Sequence, residues 1–446
     1  MTRSPFKLSL LALALLSCAT SSWSMDLLQA YEAAKANDAS IRASRAAADM
    51  GRERLPQARS QLLPSLTASV GTNRNQLSSG VPNSLGQIQS SDTDYPSSNR
   101  TVSLRQPLFR AYQMAQYRQA QAQVDDTEAS LAQEEQDLAV RVSGAYFEAM
   151  LTHEQLALVL AQRASYSTQL AAAKQALVGG SGTRTDVDEA QARLDMTVAS
   201  EIEARQSIDY TLRQLQTLVN QPINGLSRLD LSRFTLADPQ PNQVESWIEK
   251  LELNNRHLQS LKAQVEAARK EVDKAQSGHT PTLDAVVQWS RSQSENVLNV
   301  QSSYTNKAIG LQLNVPIYSG GYVNSTVRQA LAGVERAEQL LESGRRDLAV
   351  SVHKEFRGVT ENMARIRALE QALRSADQLV LSNRKSLQAG SRTLMDVMNA
   401  EQQRMLTLRD LAQARFMYLI SKVRLLALTG GADADAIAGI NQVLKP

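Results

Sequence analysis

Two nine-residue stretches decide how this chain is read: Gly179–Val187, GGSGTRTDV, and Ala389–Val397, AGSRTLMDV, set 210 residues apart. Five positions agree: Gly180/Gly390, Ser181/Ser391, Thr183/Thr393, Asp186/Asp396 and Val187/Val397. Each stretch lies between two long segments of helical periodicity. A tight helix-to-helix turn, with Gly180 and Gly182 in the first copy and Gly390 in the second, written twice at one spacing, predicts a duplicated chain.

The segments on either side are long. One predicted helix runs from about Ala111 to Val178 without a proline, and another from about Val323 to Gln388. At 1.5 Å per residue each spans about 100 Å. The second carries an apolar spine at Val327, Val334, Leu341, Leu348, Val352, Val359, Ile366, Leu373, Val380 and Leu387. Every step is seven residues except one of four. The first helix repeats the row at Tyr117, Val124, Leu131, Leu138, Val142, Ala149, Leu156, Arg163, Leu170 and Leu177, and only Arg163 breaks it. Heptads with one stutter at a shared place describe helices packed side by side and locally straightened.

Before each long helix the period changes from helical to two. Leu66, Ala68 and Val70 alternate with polar residues, as do Val102 and Leu104. Leu283, Ala285, Val287 and Trp289 repeat the pattern, and Ile309, Leu311, Leu313, Val315 and Ile317 give its clearest form. These are strands with one apolar and one polar face. The polar segments 76–98 and 292–303 read as loops, and the offset between the halves, 217 at Pro64/Pro281 but 209 at Pro107/Pro316, makes the first hairpin eight residues longer.

The expected plan is mainly α with a β contribution, each half running helix, strand, strand, long helix, turn, helix. Residues 1–24 read as a signal peptide. The first repeat covers 25–220, opening with a helix at 26–58, with strands at about 65–75 and 100–109. A proline-bearing connector occupies 221–243. The second repeat covers 244–430, opening with a helix at 244–276, with strands at about 282–291 and 304–317. Residues 431–446 form a tail.

Composition limits the function. Aromatics are only 4% of 446 residues, which suits long helices better than an enzyme core. The leader has Arg3 and Lys7 ahead of the apolar run Leu8–Leu16, and small residues before Met25. Its removal takes the formal net charge from +3 to +1, and there is no basic tract, so no nucleic-acid partner is expected. Cys18, the only cysteine, falls in the leader as a discarded residue or, on a sharper reading, a lipidated one. No segment is long and apolar enough for a membrane helix. Four strands of about ten residues reach across a bilayer when tilted, but cannot close a barrel alone. Two chains would supply eight strands and three would supply twelve; twelve leave room for a channel. His153, His257, His279 and His353 are scattered singly, and the GGSG segment lacks a phosphate loop's strand and lysine. No catalytic, cofactor or metal site is expected.

The chain resembles the TolC-like family of bacterial outer-membrane efflux and secretion factors. The resemblance rests on AYEAAKANDASI at 30–41, LPSL at 63–66, QLNVPIYSGGYVNSTVRQA at 312–330, AGSRTLMDVMNAEQQR at 389–404 and ARFMYLISKVRLLALTG at 414–430. It implies a homotrimer with a twelve-stranded outer-membrane β-barrel and a long periplasmic α-helical barrel. It implies a passive export duct in the outer membrane. The duct would work with a periplasmic adaptor and an inner-membrane pump, ABC-type or proton-driven, in type I protein secretion or drug efflux.

It also implies that the turns form a gated periplasmic entrance. By position, Arg392 would meet Thr185 and Asp186, and Asp396 would keep an acidic ring. A family tyrosine falls on Leu387 and a second acidic ring on Asn399, while Arg184 replaces an aliphatic residue, so these three modify the expected gate. Asp186 and Asp396 also begin helices, where a carboxylate satisfies free N–H groups, so plain capping is the competing reading. Competing whole-chain readings are an exported coiled-coil stalk and a periplasmic adaptor.

Overall fold

The computed structural model of the protein describes residues 24–294 and 302–445. The leader through Trp23, Cys18 included, and most of the expected 292–303 loop lie outside the described residues. Two compact units form. One holds the chain up to Arg45, Leu131–Arg256 and the chain from Arg345; the other holds Ala46–Ser130 and His257–Gly344. Each unit therefore takes segments from both halves of the duplication.

The first half runs α1 (Leu27–Asn37), α2 (Ala39–Arg52), α3 (Arg54–Ser60), β1 (Ser65–Pro82), β2 (Ile88–Arg110), α4 (Ala111–Val178) and α5 (Arg184–Val219). A two-residue strand β3 (Arg228–Leu229) lies in the connector. The second half runs α6 (Val244–Asn254), α7 (Arg256–Gln276), β4 (Thr282–Gln293), β5 (Ser303–Asn314), α8 (Tyr322–Gln388) and α9 (Leu394–Leu428). The tail is more ordered than its sequence indicated. Asp433 caps α10 (Ala434–Asn441), and β6 (Leu444–Lys445) pairs with β3.

The single helices expected at 26–58 and 244–276 are interrupted. Asp38 leaves helical geometry, gives its N–H to Ala34 and accepts from the Ile41 N–H at 2.9 Å, so one residue ends α1 and caps α2. Asn255 makes the matching break 217 residues later. Its N–H goes to Leu251, and its side-chain amide goes to the Leu428 carbonyl at 2.8 Å. Both are polar residues that periodicity passes over.

In the unit holding the strands, the sheet order is β1-β2-β4-β5, antiparallel throughout. Register brings Leu66, Leu104, Val287 and Ile309 into one row across all four strands. Ala68, Val102, Trp289 and Lys307 form the next row. The opposite face carries Thr67, Ser103, Gln288 and Ala308 in its matching row. The apolar face is bare: Leu66 and Ile309 are 70% and 84% exposed. The expected loop 76–98 is instead mostly ladder. Pairing continues to Pro82↔Ile88, and only residues 83–87 turn. That extension has polar residues on both sides and only scattered apolar ones, so it shows no sustained alternation to read. β5 stops at Asn314, short of the expected 317, just before Pro316, which has no N–H to offer a ladder.

The helices keep their spines. Every α8 spine residue from Val327 to Leu387 is buried or half-buried. In α4 the same holds except at Arg163, which is exposed and bonds Glu201 at 2.8 Å. The break in the heptad row is thus an ion-pair position. Ring-to-ring contacts among the described residues lie in the unit that also holds the connector. Tyr146, Phe147 and Phe416 pack together, and Tyr418 stacks edge-on against Phe234.

Candidate functional site: the paired helical turns

Both turns lie in the same unit, and their shared residues build their shared backbone. At the first, Ser181 N–H reaches back to the Ala176 carbonyl at 2.9 Å, and Gly180 sits at φ +74°. At the second, Ser391 N–H reaches Ser386 at 2.9 Å, and Gly390 sits at φ +73°. Only glycine occupies this region without steric cost, and this return bond is a common way to end a helix. Thr183 and Thr393 then cap α5 and α9. Each hydroxyl accepts from the N–H three residues on, and the Asp there accepts back from the Thr N–H at 3.0 Å. Asp186 and Asp396 also accept the Thr hydroxyl protons, at 2.7 and 2.9 Å. Capping is therefore present at both aspartates, as the box arrangement requires.

The outward side chains differ. Arg392 Nη1 lies 3.4 Å from Asp396 Oδ1 within its own turn. The hydrogen bonds from the Thr393 backbone and hydroxyl, followed by the Arg392 charge, hold the Asp396 carboxyl below the ordinary range. In the first turn Arg184 pairs with Asp188 at 3.1 Å, both well exposed, and Thr185 is exposed beside it. Arg392 and Asp186, expected to meet, are each engaged inside their own turn in the single protomer. Leu387 is half-buried, and its carbonyl accepts from Gly390 N–H at 3.0 Å.

Asn399 is not idle. Its Oδ1 accepts from Arg193 Nη2 at 2.7 Å, a bond from α5 to α9. Sequence reasoning passed over Arg193, and it passed over Glu401. The Glu401 side chain is buried, accepting from Arg384 Nη2 and Ser165 Oγ, both at 2.5 Å, and from Gln169 Nε2. A second buried carboxylate, Glu201, lies on the first hairpin at an unmatched position, held by Arg163 and by Arg205 at 2.7 Å. The only trace of these groups in the sequence was Arg163 breaking its heptad row. Below the turns an apolar core gathers Tyr166, Leu170, Ala173, Val187, Ala190 and Met398 from α4, α5 and α9. The two hairpins therefore share one core and cross-bond through polar layers. Among the described residues no group of three or more His, Cys, Asp or Glu could hold a metal ion, and no helix is long and apolar enough to cross a membrane.

Comparison with known proteins gives a consistent answer. The family model described as outer membrane efflux protein matches residues 30–221 and 247–431. The alkaline protease secretion protein AprF of Pseudomonas aeruginosa is 33% identical over 412 residues, 92% of this chain and 85% of that one. The proteases secretion protein PrtF of Dickeya chrysanthemi is 31% identical, covering 90% of this chain and 87% of its own. Among solved structures, the outer membrane protein VceC of Vibrio cholerae superposes with a TM-score of 0.77 at 17% identity, over 92% of this chain and 99% of that one. That likeness speaks for the fold.

Proposed function

The chain belongs to the outer membrane efflux protein family, and from that membership we propose that it is the exit duct of a type I protein secretion system, gated at its helical turns. It is an outer-membrane export channel with a large periplasmic part, as its family and relatives are. Those relatives are channel and secretion proteins rather than enzymes, stalks or adaptors.

The observation that carries the reading is the sheet. Its face with Leu66, Leu104, Val287 and Ile309 in one row is apolar and bare, and its opposite face is polar. A membrane-embedded sheet must leave no unpaired edge, because lipid offers no hydrogen bonds. β1 and β5 are the outer strands, so each needs a partner from another copy. In our reading three copies supply twelve strands, with β5 of one beside β1 of the next. The apolar rows face outer-membrane lipid and the polar rows face the lumen.

The relatives named for protease secretion, at 31% and 33% identity, support a protein cargo. We assign an exported protein as cargo, a periplasmic adaptor and an inner-membrane ABC-type pump as partners, and no nucleic acid. The duct has no cofactor and takes its energy from the pump. The periplasmic entrance comprises Thr185, Asp186, Arg392 and Asp396, modified by Arg184, Leu387 and Asn399. Arg392 leaves Asp396 for Asp186 when copies assemble.

Light scattering on the detergent-extracted protein is expected to give the mass of a trimer; a monomer or dimer mass sinks the twelve-stranded barrel. In planar bilayers Arg392→Ser is expected to raise single-channel conductance. Unchanged conductance removes Arg392 from the gate. Crosslinking and co-purification are expected to recover an ATP-driven pump; recovery of a proton-driven one overturns the cargo assignment.

A further inference from the structure

We infer that each protomer carries a second latch below the tips, in which Arg193 of α5 holds α9 through Asn399 and Gln402 and so keeps the two helical hairpins together in the closed duct. This deepens the gating reading above and rests on it.

The guanidinium is set up for the task. Glu189, one turn earlier, takes Arg193 Nε at 2.9 Å and fixes the plane of the group. That leaves Nη1 2.9 Å from Gln402 Oε1 and Nη2 2.7 Å from Asn399 Oδ1, with Met395 Sδ 3.4 Å from Nη2. Met395, Asn399 and Gln402 are four and three residues apart, so one stripe of α9 faces one side chain. The Arg193 side chain is only 19% exposed, which limits competition from water. A planar fork can reach two acceptors together; a lysine ammonium on a flexible stem does not hold that geometry.

A second layer grips α9 from α4. Glu401 Oε2 accepts from Ser165 and Gln169, which are four residues apart on α4, while Oε1 is taken by Arg384 of its own hairpin. α9 is therefore tied to both helices of the other hairpin. A motion that parts the hairpins must break both layers. A motion that carries them together breaks neither. Arg193 is a positioning residue: it touches no cargo and sets where α9 stands.

The test is single-channel recording on the purified trimer in planar bilayers, comparing Arg193→Met, Asn399→Ala, their combination and Arg392→Ser. Loss of two hydrogen bonds from a charged donor is expected to raise the open fraction about tenfold in Arg193→Met. The combination should open no further than Arg193→Met alone, because both remove the same bond. Asn399→Asp should lower the open fraction through a charge-assisted bond, and only while Arg193 is present. An unaltered melting temperature separates the latch from general loosening. If Arg392→Ser opens the channel and Arg193→Met does not, the latch is overturned and the tip gate stands. If neither opens it, the gating reading fails and the latch with it. Additive effects of Arg193→Met and Asn399→Ala also overturn the pairing. Should Arg193→Met not assemble, Asn399→Ala and Gln402→Ala read the same bonds from the acceptor side, and closed behaviour in both overturns the proposal.

Discussion

At Gly180 and Gly390 the backbone turns at φ +74° and +73°, and at Thr183 and Thr393 the next helix is capped the same way, yet Arg184 and Arg392, the arginines of the two turns, share no position. The agreeing residues are the ones that make the turn. Gly supplies the left-handed step, Ser the return bond, Thr and Asp the cap, and Val a buried anchor. The differing positions include the ones that carry the arginines and their neighbours: Gly182 against Arg392, Arg184 against Leu394, Glu189 against Asn399. Duplication thus preserved the hinge and released the contacts. Asp186 and Asp396 sit in the preserved set, so any part they take in gating is added to a capping role already in place.

The comparison breaks most sharply at the buried carboxylates. Arg384→Leu leaves the Glu401 carboxylate, 9% exposed, with only neutral donors. The expected loss is about 3 kcal/mol of unfolding free energy in a urea titration followed by circular dichroism. Arg163→Leu leaves Glu201 still paired with Arg205 and is expected to cost about 1 kcal/mol. Equal costs, or the reverse order, mean the two carboxylates are not held as described.

A middle-sized effect separates Gly182 from Arg392, which occupy the same place in the two turns. A Cβ at Gly182 would stand 2.9 Å from Ala176 Cβ and 3.0 Å from the Leu177 backbone nitrogen, and Gly182 N–H already bonds Ala176 at 3.0 Å. The first turn is the tighter one. Gly182→Arg, which copies the second turn, is expected to destabilise the protein by about 2 kcal/mol. Arg392→Gly should cost less than about 1 kcal/mol. Matching thermal shifts in the two variants contradict the asymmetry.

The smallest effect concerns protonation. The folded state holds the Asp396 carboxyl below its ordinary value, so its contribution is present above the unfolded pKa and is lost as pH falls through the folded one. Melting temperature should therefore fall less on acidification in Asp396→Asn than in the unaltered protein. Identical pH profiles show that the cap contributes no measurable linkage.

Much of the fold was legible because it repeats. The heptad rows, their stutter and the strands with one apolar face follow from a single period each, and burial forces that period. The limits of the strands were not legible. Residues 76–82 and 88–98 pair as a ladder with polar residues on both faces, so no side is buried and no alternation is selected. The breaks at Asp38 and Asn255 were missed for a related reason. Each is made by a polar side chain bonding backbone, which hydrophobic spacing does not record. Of the expected site, the turn residues were read in place, while Arg193, Glu401 and Arg384 were not singled out. Arg193 and Glu401 find partners across the hairpins, as with Ser165 and Glu401 at a separation of 236 residues, and Arg384 meets Glu401 from the facing helix of its own hairpin.

By itself, then, the sequence determined the duplication, the helical hairpins with their turns, and a sheet with one apolar and one polar face, because each is set by local spacing of apolar residues or by a residue's own conformational range. Only the tertiary structure decided which polar side chains are neutralised, and by what. Arg163 became an ion pair, Asn399 an acceptor and Glu401 a buried junction because a charge or amide at a helix–helix contact takes its partner from whatever helix packs beside it, and that neighbour is fixed by packing, not by order along the chain.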